Sequence, residues 1–258
     1  MQAAEVLGIP AEDVRPTVVD TDSIGYTDVT GGSRTCYATG YAAYLASQKL
    51  IQEIINRAAL KWDIGEKEII YENGIIRSKT DSELNMTIKE FAGNSPGGPV
   101  TANASVDLEE AGGGFGVHIA DIEIDENTGK TDVIRYTAIQ DCGKAIHPSY
   151  VEGQLQGGAA QGIGWALNEE YYMNSDGIME NSSYLDYRMP ISLDLPMIDT
   201  ILVEVPSEEH PFGVRGVGET PIVPPVPTIA NAINDALGIR MISTPMKPSS
   251  IIEALQRK

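Results

Sequence analysis

Apolar residues recur at Ala42, Leu45, Ala46, Leu50, Ile54 and Ala58, the steps of one helix face, and predict a long helix over about residues 36–60. Ser33 or Thr35 stands where its N-cap belongs. Ahead of it, residues 17–19 read as a short β-like run. Behind it, "EIIYENGIIRS" sets two β-branched runs either side of Asn73-Gly74, the residue pair that a two-residue hairpin turn prefers. Residues 93–105, "GNSPGGPVTANAS", read as loop or boundary. "FGVHIADIEID" and "KTDVIRYTAIQD", joined by "ENTG", predict a second hairpin with alternation at Val117, Ile119, Ile122 and Ile124. A second long helix is expected over about 148–172, then a strand at "DTILVEVP". A short helix follows, stepping through Ile229, Ile233 and Leu237 with Gly238 at its C-cap, and "PSSIIEALQR" closes the chain as a helix.

Hairpins mixed with helices, without regular strand–helix–strand alternation, predict the α+β class. The expected arrangement is two mixed α/β sub-regions of layered sheet-and-helix type around a shared cofactor cleft, residues 1–105 and 106–258, with the division near 100–112. The 258 residues suffice for one large or two small cores. A net charge of −19 argues against nucleic acid or an anionic membrane as partner, since phosphate binding needs a basic surface. No window approaches the roughly 18 apolar residues of a membrane span, and the start lacks a basic, then apolar, leader. A cytoplasmic protein is therefore expected. Two distant cysteines, Cys36 and Cys142, form no paired motif for zinc or iron–sulfur. His118, His147 and His210 lack metal-ligand spacing, and buried or surface roles are expected for them.

Three glycine-rich stretches carry candidate chemistry. "TGGSRT" leads into the first long helix, where helix-start amides, the Ser33 hydroxyl and the planar Arg34 cation suit an anion; the alternative is a turn with an N-cap. It lacks the Gly-Lys-Ser/Thr ending of a P-loop. "EGQLQGGAAQGIG" interleaves Gln154, Gln156 and Gln161 with glycines inside a predicted helix, where each glycine costs about 0.8–1 kcal/mol against alanine. Those amides suit a heterocycle edge or an oxo group; the alternative is a glycine-lined helix crossing with solvent-facing glutamines. In "GVRGVGETPIVPP", residues 213–225, Thr220-Pro221 reads as a helix entry with Thr220 as cap. The glycines before it instead suit a carboxylate, Glu219, held as a general base. Arg215 reads as a partner for a nearby carboxylate, the alternative being to orient an anionic substrate, and Cys36 as a small packed thiol rather than a reactive one.

Taken in order, "GGSRT", "DCGKAIHPSYVEGQLQGGAAQGIGWALNEE", "HPFGVRGVGE" and "ANAINDALGIR" resemble the molybdenum hydroxylases, the xanthine dehydrogenase and aldehyde oxidase family. The resemblance spans nearly the whole chain and is to the C-terminal part of the molybdopterin-binding subunit. It implies molybdopterin with molybdenum, in the cytosine dinucleotide form. Gly31, Gly32, Ser33, Arg34 and Thr35 then hold the phosphate and nucleotide end, while Gln161, Gly162 and Gly218 lie near the metal and pterin. The metal is held through the pterin, with no direct protein ligand. Glu219 matches the glutamate that acts as base toward a metal-bound hydroxyl. The implied reaction hydroxylates an N-heterocycle or aldehyde carbon with water as oxygen source, active only with partner subunits.

Those partners are a larger molybdopterin subunit carrying the missing first half, an iron–sulfur subunit and an FAD subunit, with a small-molecule substrate. The family's subunit is much longer, and the glutamine and substrate loop of its earlier half have no counterpart here. The expectation is therefore a split subunit or a truncated fragment, the alternative being a non-catalytic assembly piece. His147 stands where asparagine is common and reads as a neutral turn variant.

Overall fold

A computed structural model describes every residue except 18–19, 23–25, 28 and 109–112. The β-like run expected at 17–19 therefore lies outside the described residues, apart from Thr17. The chain divides into two compact units, residues 1–111 with 209–212, and residues 112–208 with 213–258.

The first unit begins with helix α1 (Gln2–Leu7). A π-helical turn, Thr35–Thr39, then runs into helix α2 (Gly40–Trp62), so the predicted long helix is present. Neither start carries a side-chain cap. Ser33 adopts φ 59, left-handed, whereas a capping serine needs extended backbone, and Thr35 already lies inside the turn. Strands β1 (Ile69–Glu72) and β2 (Ile75–Ser78) pair through Glu72 and Ile75, with Asn73 at φ 49 and Gly74 at φ 72, as the Asn-Gly pair predicts.

Strand β3 (Asn85–Thr87) follows, then helix α3 (Ile88–Gly93), which the hydrophobic pattern did not reveal. Its signal is a capping box: Thr87 Oγ1 accepts from Glu90 N at 3.2 Å, and Thr87 N donates to Glu90 Oε2 at 2.8 Å. Ile54, Ala58 and Ala59 of α2 bury against Ile69, Ile76 and Phe91 to form this unit's core. Residues 209–212 belong to the same compact unit. His210 is buried, donates from Nε2 to Tyr37 O at 3.2 Å and accepts at Nδ1 from Phe212 N at 3.1 Å, which fixes a neutral ring. Burial lowers its pKa, and Tyr37 and Tyr41 pack against the ring.

The second unit is a three-stranded sheet, β4 (Phe115–Ile124), β5 (Thr131–Asp141) and β6 (Ile198–Val203), with β5 in the middle. The predicted hairpin is the antiparallel β4–β5 pair; β6 runs parallel to β5 after a crossover through helix α4 (Pro148–Leu167). One such crossover in a mixed sheet leaves the class α+β. Helices α5 (Pro225–Leu237) and α6 (Pro248–Gln256) follow, with Gly238 capping α5 at φ 63 as expected. Tyr136 and Ala138 of β5 meet Leu155, Ala159 and Ile163 of α4, Ile229 and Ile233 of α5, and Ile251 of α6 in one core.

Two expectations change here. α4 ends at Leu167 rather than near 172, because Glu169 N turns back to Gly164 O, five residues behind it, at 2.8 Å instead of continuing the four-residue pattern. The β4 alternation also divides between two faces. Ile122 and Ile124 pack on the core, whereas Val117 and Ile119 are exposed on the opposite face. Their odd and even positions already required this. The register slips at Asp121/Ile122, where β5 carries one extra residue.

His118 lies on the core face, its Nδ1 2.8 Å from Tyr136 Oη, and burial pushes its pKa down to about 4 from 6.5. The unfolded chain takes up that proton below pH 6.5, while the folded chain refuses it until about pH 4. Stability from the neutral ring is thus present above 6.5 and is lost as pH falls through that window. His118→Gln does not titrate. Between about pH 7 and about pH 4.5, wild type should lose roughly 2–3 kcal/mol more than this variant in urea unfolding. Equal losses would show that the ring is not held neutral.

Candidate cofactor and catalytic site

The 31–35 loop precedes the first unit's long helix. Gly31 N donates to Val29 O at 2.9 Å, and Gly32 turns at φ 65 with open space where a Cβ would stand. Successive left-handed residues Gly32 and Ser33 swing the chain so that it enters the helix at Arg34. The first amides of a helix have no partner within it, and the helix dipole favours an anion there. Arg34 is half-buried and Thr35 is exposed. Cys36, next to the loop, is exposed, which corrects the packed thiol expected from sequence: its neighbour Tyr37 takes the inward position instead.

In the second unit, the stretch around Glu219 is anchored by Arg215. Arg215 Nε lies 3.2 Å from Asp141 Oδ2, with the two side chains only 19% and 16% exposed. The same guanidinium donates to Val205 O and to Gly113 O, each at 3.2 Å. Asp141 Oδ1 accepts from Gly143 N at 2.9 Å and from Val205 N at 3.2 Å. Main chain adds to this: Arg215 N donates to Cys142 O at 3.2 Å and Lys144 N to Gly213 O at 2.7 Å. Gly143 and Gly213 both take positive φ at this crossing, and the Gly213 carbonyl occupies the place of a Gly143 Cβ. The expected structural role of Arg215 is therefore what the structure shows. Asp141 is the residue that sequence reasoning missed; its signal was an acid at the end of a strand, immediately before Cys142-Gly143.

Beyond Arg215 the chain reaches Gly218 and Glu219, both exposed. Glu219, not Thr220, holds the N-cap position, and it heads a short 3-10 turn, Thr220–Ile222, rather than α5 itself. Pro224 and Pro225 delay the α-helix by a turn. Thr220 is seated by Gly114 of the run before β4, where a Cβ would collide with its hydroxyl. Pro221 and Pro225 are seated by α4: a Cβ on Gly158 would lie 2.7 Å from Pro221 Cγ, and one on Gly162 would lie 2.6 Å from Pro225 Cγ.

The glycine-lined crossing is thus real, and Gly162, buried beneath Pro225, is a packing residue rather than one open to a ligand. Gln156 is not solvent-directed either; its Nε2 donates to Ile198 O at 3.2 Å. Gln161 is exposed beside this stripe, and its side chain makes no hydrogen bond among the described residues. The structure brings the Gln161 helix and the Glu219 turn into direct packing contact. A separate cleft of about 780 Å³, lined by Lys130, Glu170, Arg188 and Lys247 among others, contains none of the predicted site residues.

The first unit thus carries an anion-suited glycine loop ahead of a long helix, and the second an exposed Glu219 on a turn whose flanking main chain is held by an ion pair and two glycine–proline contacts. The profile of the molybdopterin cofactor-binding domain matches residues 1–196, and the chain belongs to that family. It is 30% identical over 258 residues to the putative xanthine dehydrogenase molybdenum-binding subunit of Escherichia coli, covering 97% of this chain and 34% of the relative. It is 32% identical over 241 residues to the carbon monoxide dehydrogenase large chain of Afipia carboxidovorans, covering 90% of this chain and 30% of the relative. Among solved structures, the Cu,Mo-CO dehydrogenase in its carbon monoxide reduced state aligns with a TM-score of 0.86 and 30% identity, covering 99% of this chain and 34% of that one. The chain therefore spans about a third of the length of the relatives it matches. The resemblance first carried by "GGSRT", "AAQGIG" and "GVGE" holds.

Two stability tests follow from this geometry. Gly162→Ala should destabilise the second unit by about 1–3 kcal/mol through overpacking against Pro225. Gly153→Ala, which meets nothing within 4 Å, should stabilise it by about 0.8–1 kcal/mol. Opposite signs in thermal unfolding are the expected result. Asp141→Asn should cost roughly 2–3 kcal/mol, because it leaves the half-buried Arg215 without its counter-ion. A change within about 0.5 kcal/mol would mean that the pair holds nothing.

Proposed function

We propose that this chain is a molybdopterin-binding portion of a multisubunit molybdenum hydroxylase. The enzyme would hydroxylate an N-heterocycle or aldehyde carbon with water as oxygen source, working only with its partner polypeptides. The observation that carries the reading is the brace on Glu219: Asp141–Arg215 on one side, and Gly158 and Gly162 under Pro221 and Pro225 on the other. A plain helix entry needs neither.

The residues present fit the cofactor. The open Gly32, the Ser33 hydroxyl, the Arg34 guanidinium and the main chain entering the helix at residues 32–35 form the set assigned to phosphate, here that of a cytosine dinucleotide. Gln161 offers a free amide, with both donor and acceptor, to the edge of the pterin. Gly218 lets the main chain approach without a side chain in the way. When bound, the molybdenum centre supplies the two-electron oxidation of an electron-poor carbon. The role assigned to Glu219 is to accept the proton of the attacking oxygen, and that of Arg215 and Asp141 is to hold it in place. Iron–sulfur and FAD polypeptides would carry the electrons away.

Glu219→Gln in the assembled enzyme should lower turnover by about 10²-fold or more, with molybdenum content unchanged. Unaltered turnover would remove Glu219 from the chemistry. Loss of molybdenum along with activity would instead give it a binding role.

A further inference from the structure

The sheet of the second unit buries one face and leaves the other apolar and open. Across its three strands the outer face reads as rungs: Phe115–Asp141–Val203, Val117–Ile139–Ile201 and Ile119–Thr137–Asp199. Phe115 is 74% exposed, Val117 52%, Ile119 54%, Ile201 50% and Val203 40%. A sheet with one solvated face alternates apolar inward with polar outward, while strands apolar on both sides are those covered on both faces. Charged groups frame the apolar rungs. At one end Asp121 faces Arg135, whose Nε lies 3.4 Å from Asp199 Oδ2; at the other stands the Asp141–Arg215 pair. An apolar centre with a polar rim is the anatomy of an interface.

We propose that this face seats a second layer supplied by the part of the molybdenum subunit that lies outside these 258 residues, on the same polypeptide or a separate one. The inference rests on the chain's working within a larger molybdenum subunit. The match covers only 34% of the Escherichia coli relative, so most of such a subunit remains to cover exposed faces. Permanent contacts are also more apolar than dissociable ones, which favours the rest of the subunit over an exchangeable electron-transfer partner. A second copy fits poorly. A self-complementary pairing would bring two chains of charge −19 together, with Asp121 and Asp199 on both sides of the contact.

The test places a photo-reactive side chain at Val117 or Ile201 in the enzyme purified from its source, with Ile242, 93% exposed and outside the sheet, as control. Peptide mass spectrometry maps the adducts, so links within one polypeptide and links between two are read alike. The expected result is adducts to molybdenum-subunit peptides from outside this sequence, at roughly tenfold the control yield. Adducts to another copy of this chain, to an iron–sulfur or flavin polypeptide, or none at all, overturn the inference. Molybdenum analysis of the same material separates the two readings. The expected adducts without molybdenum keep the docking face and remove the proposed function, whereas molybdenum and turnover without adducts do the reverse.

Discussion

The second unit hangs on one carboxylate. Asp141 ends the central strand, and there it gathers two amides and a guanidinium from three separate segments. A carboxylate drawn partly out of water is costly unless its lone pairs are filled, and here they are. The net stability of such a pair is modest, but its effect on position is not. It fixes the Cys142-Gly143 turn, the chain just after β6 at Val205 and the start of the loop that reaches Glu219. Gly143 follows from it, because the Gly213 carbonyl stands where its Cβ would be, and a Cβ on Gly213 would in turn meet Pro206.

Local periodicity made much of the fold legible. The Asn73-Gly74 hairpin, the α2 stripe, the β4–β5 pair and the Gly238 cap each depend on near neighbours in sequence. The misreadings occur where distant groups decide. α4 stops short because its main chain folds back on Gly164, whose Cα side is also filled by Pro190. Ser33 fails as a cap because the loop before it turns left-handed. Thr220 loses the capping position because Gly114 draws it against β4. Helix α3 was readable from Thr87 and Glu90, but its run is too short to show a period.

The candidate site was less legible, for a physical reason. Gly158, Gly162, Pro221 and Pro225 are far apart in sequence, and only their contact shows why one helix tolerates so many glycines. Sequence composition allowed that helix to be either a crossing or a ligand surface, and it serves as a crossing at Gly158 and Gly162 while leaving Gln161 open. Arg215 was read correctly as a carboxylate partner, but its partner was not identifiable, because nothing in "DCG" says that the strand end and the later loop meet.

Two features of the second unit then share one explanation under the proposed function. General-base catalysis needs a carboxylate set against surroundings poorer than water in polarity. Glu219 is exposed on a turn whose flanking main chain is held, and the cofactor with the polypeptide around it would supply those surroundings. The sheet is likewise complete on its core face and apolar on its outer one, so it too has to be finished from outside. The Asp141–Arg215 pair stands between them, in the outer rung of the sheet and at the root of the Glu219 loop. A layer laid over the outer rungs would exclude water from that pair and strengthen it electrostatically. Assembly of the subunit would in that way tighten the brace on the proposed base through an interaction already built into this chain.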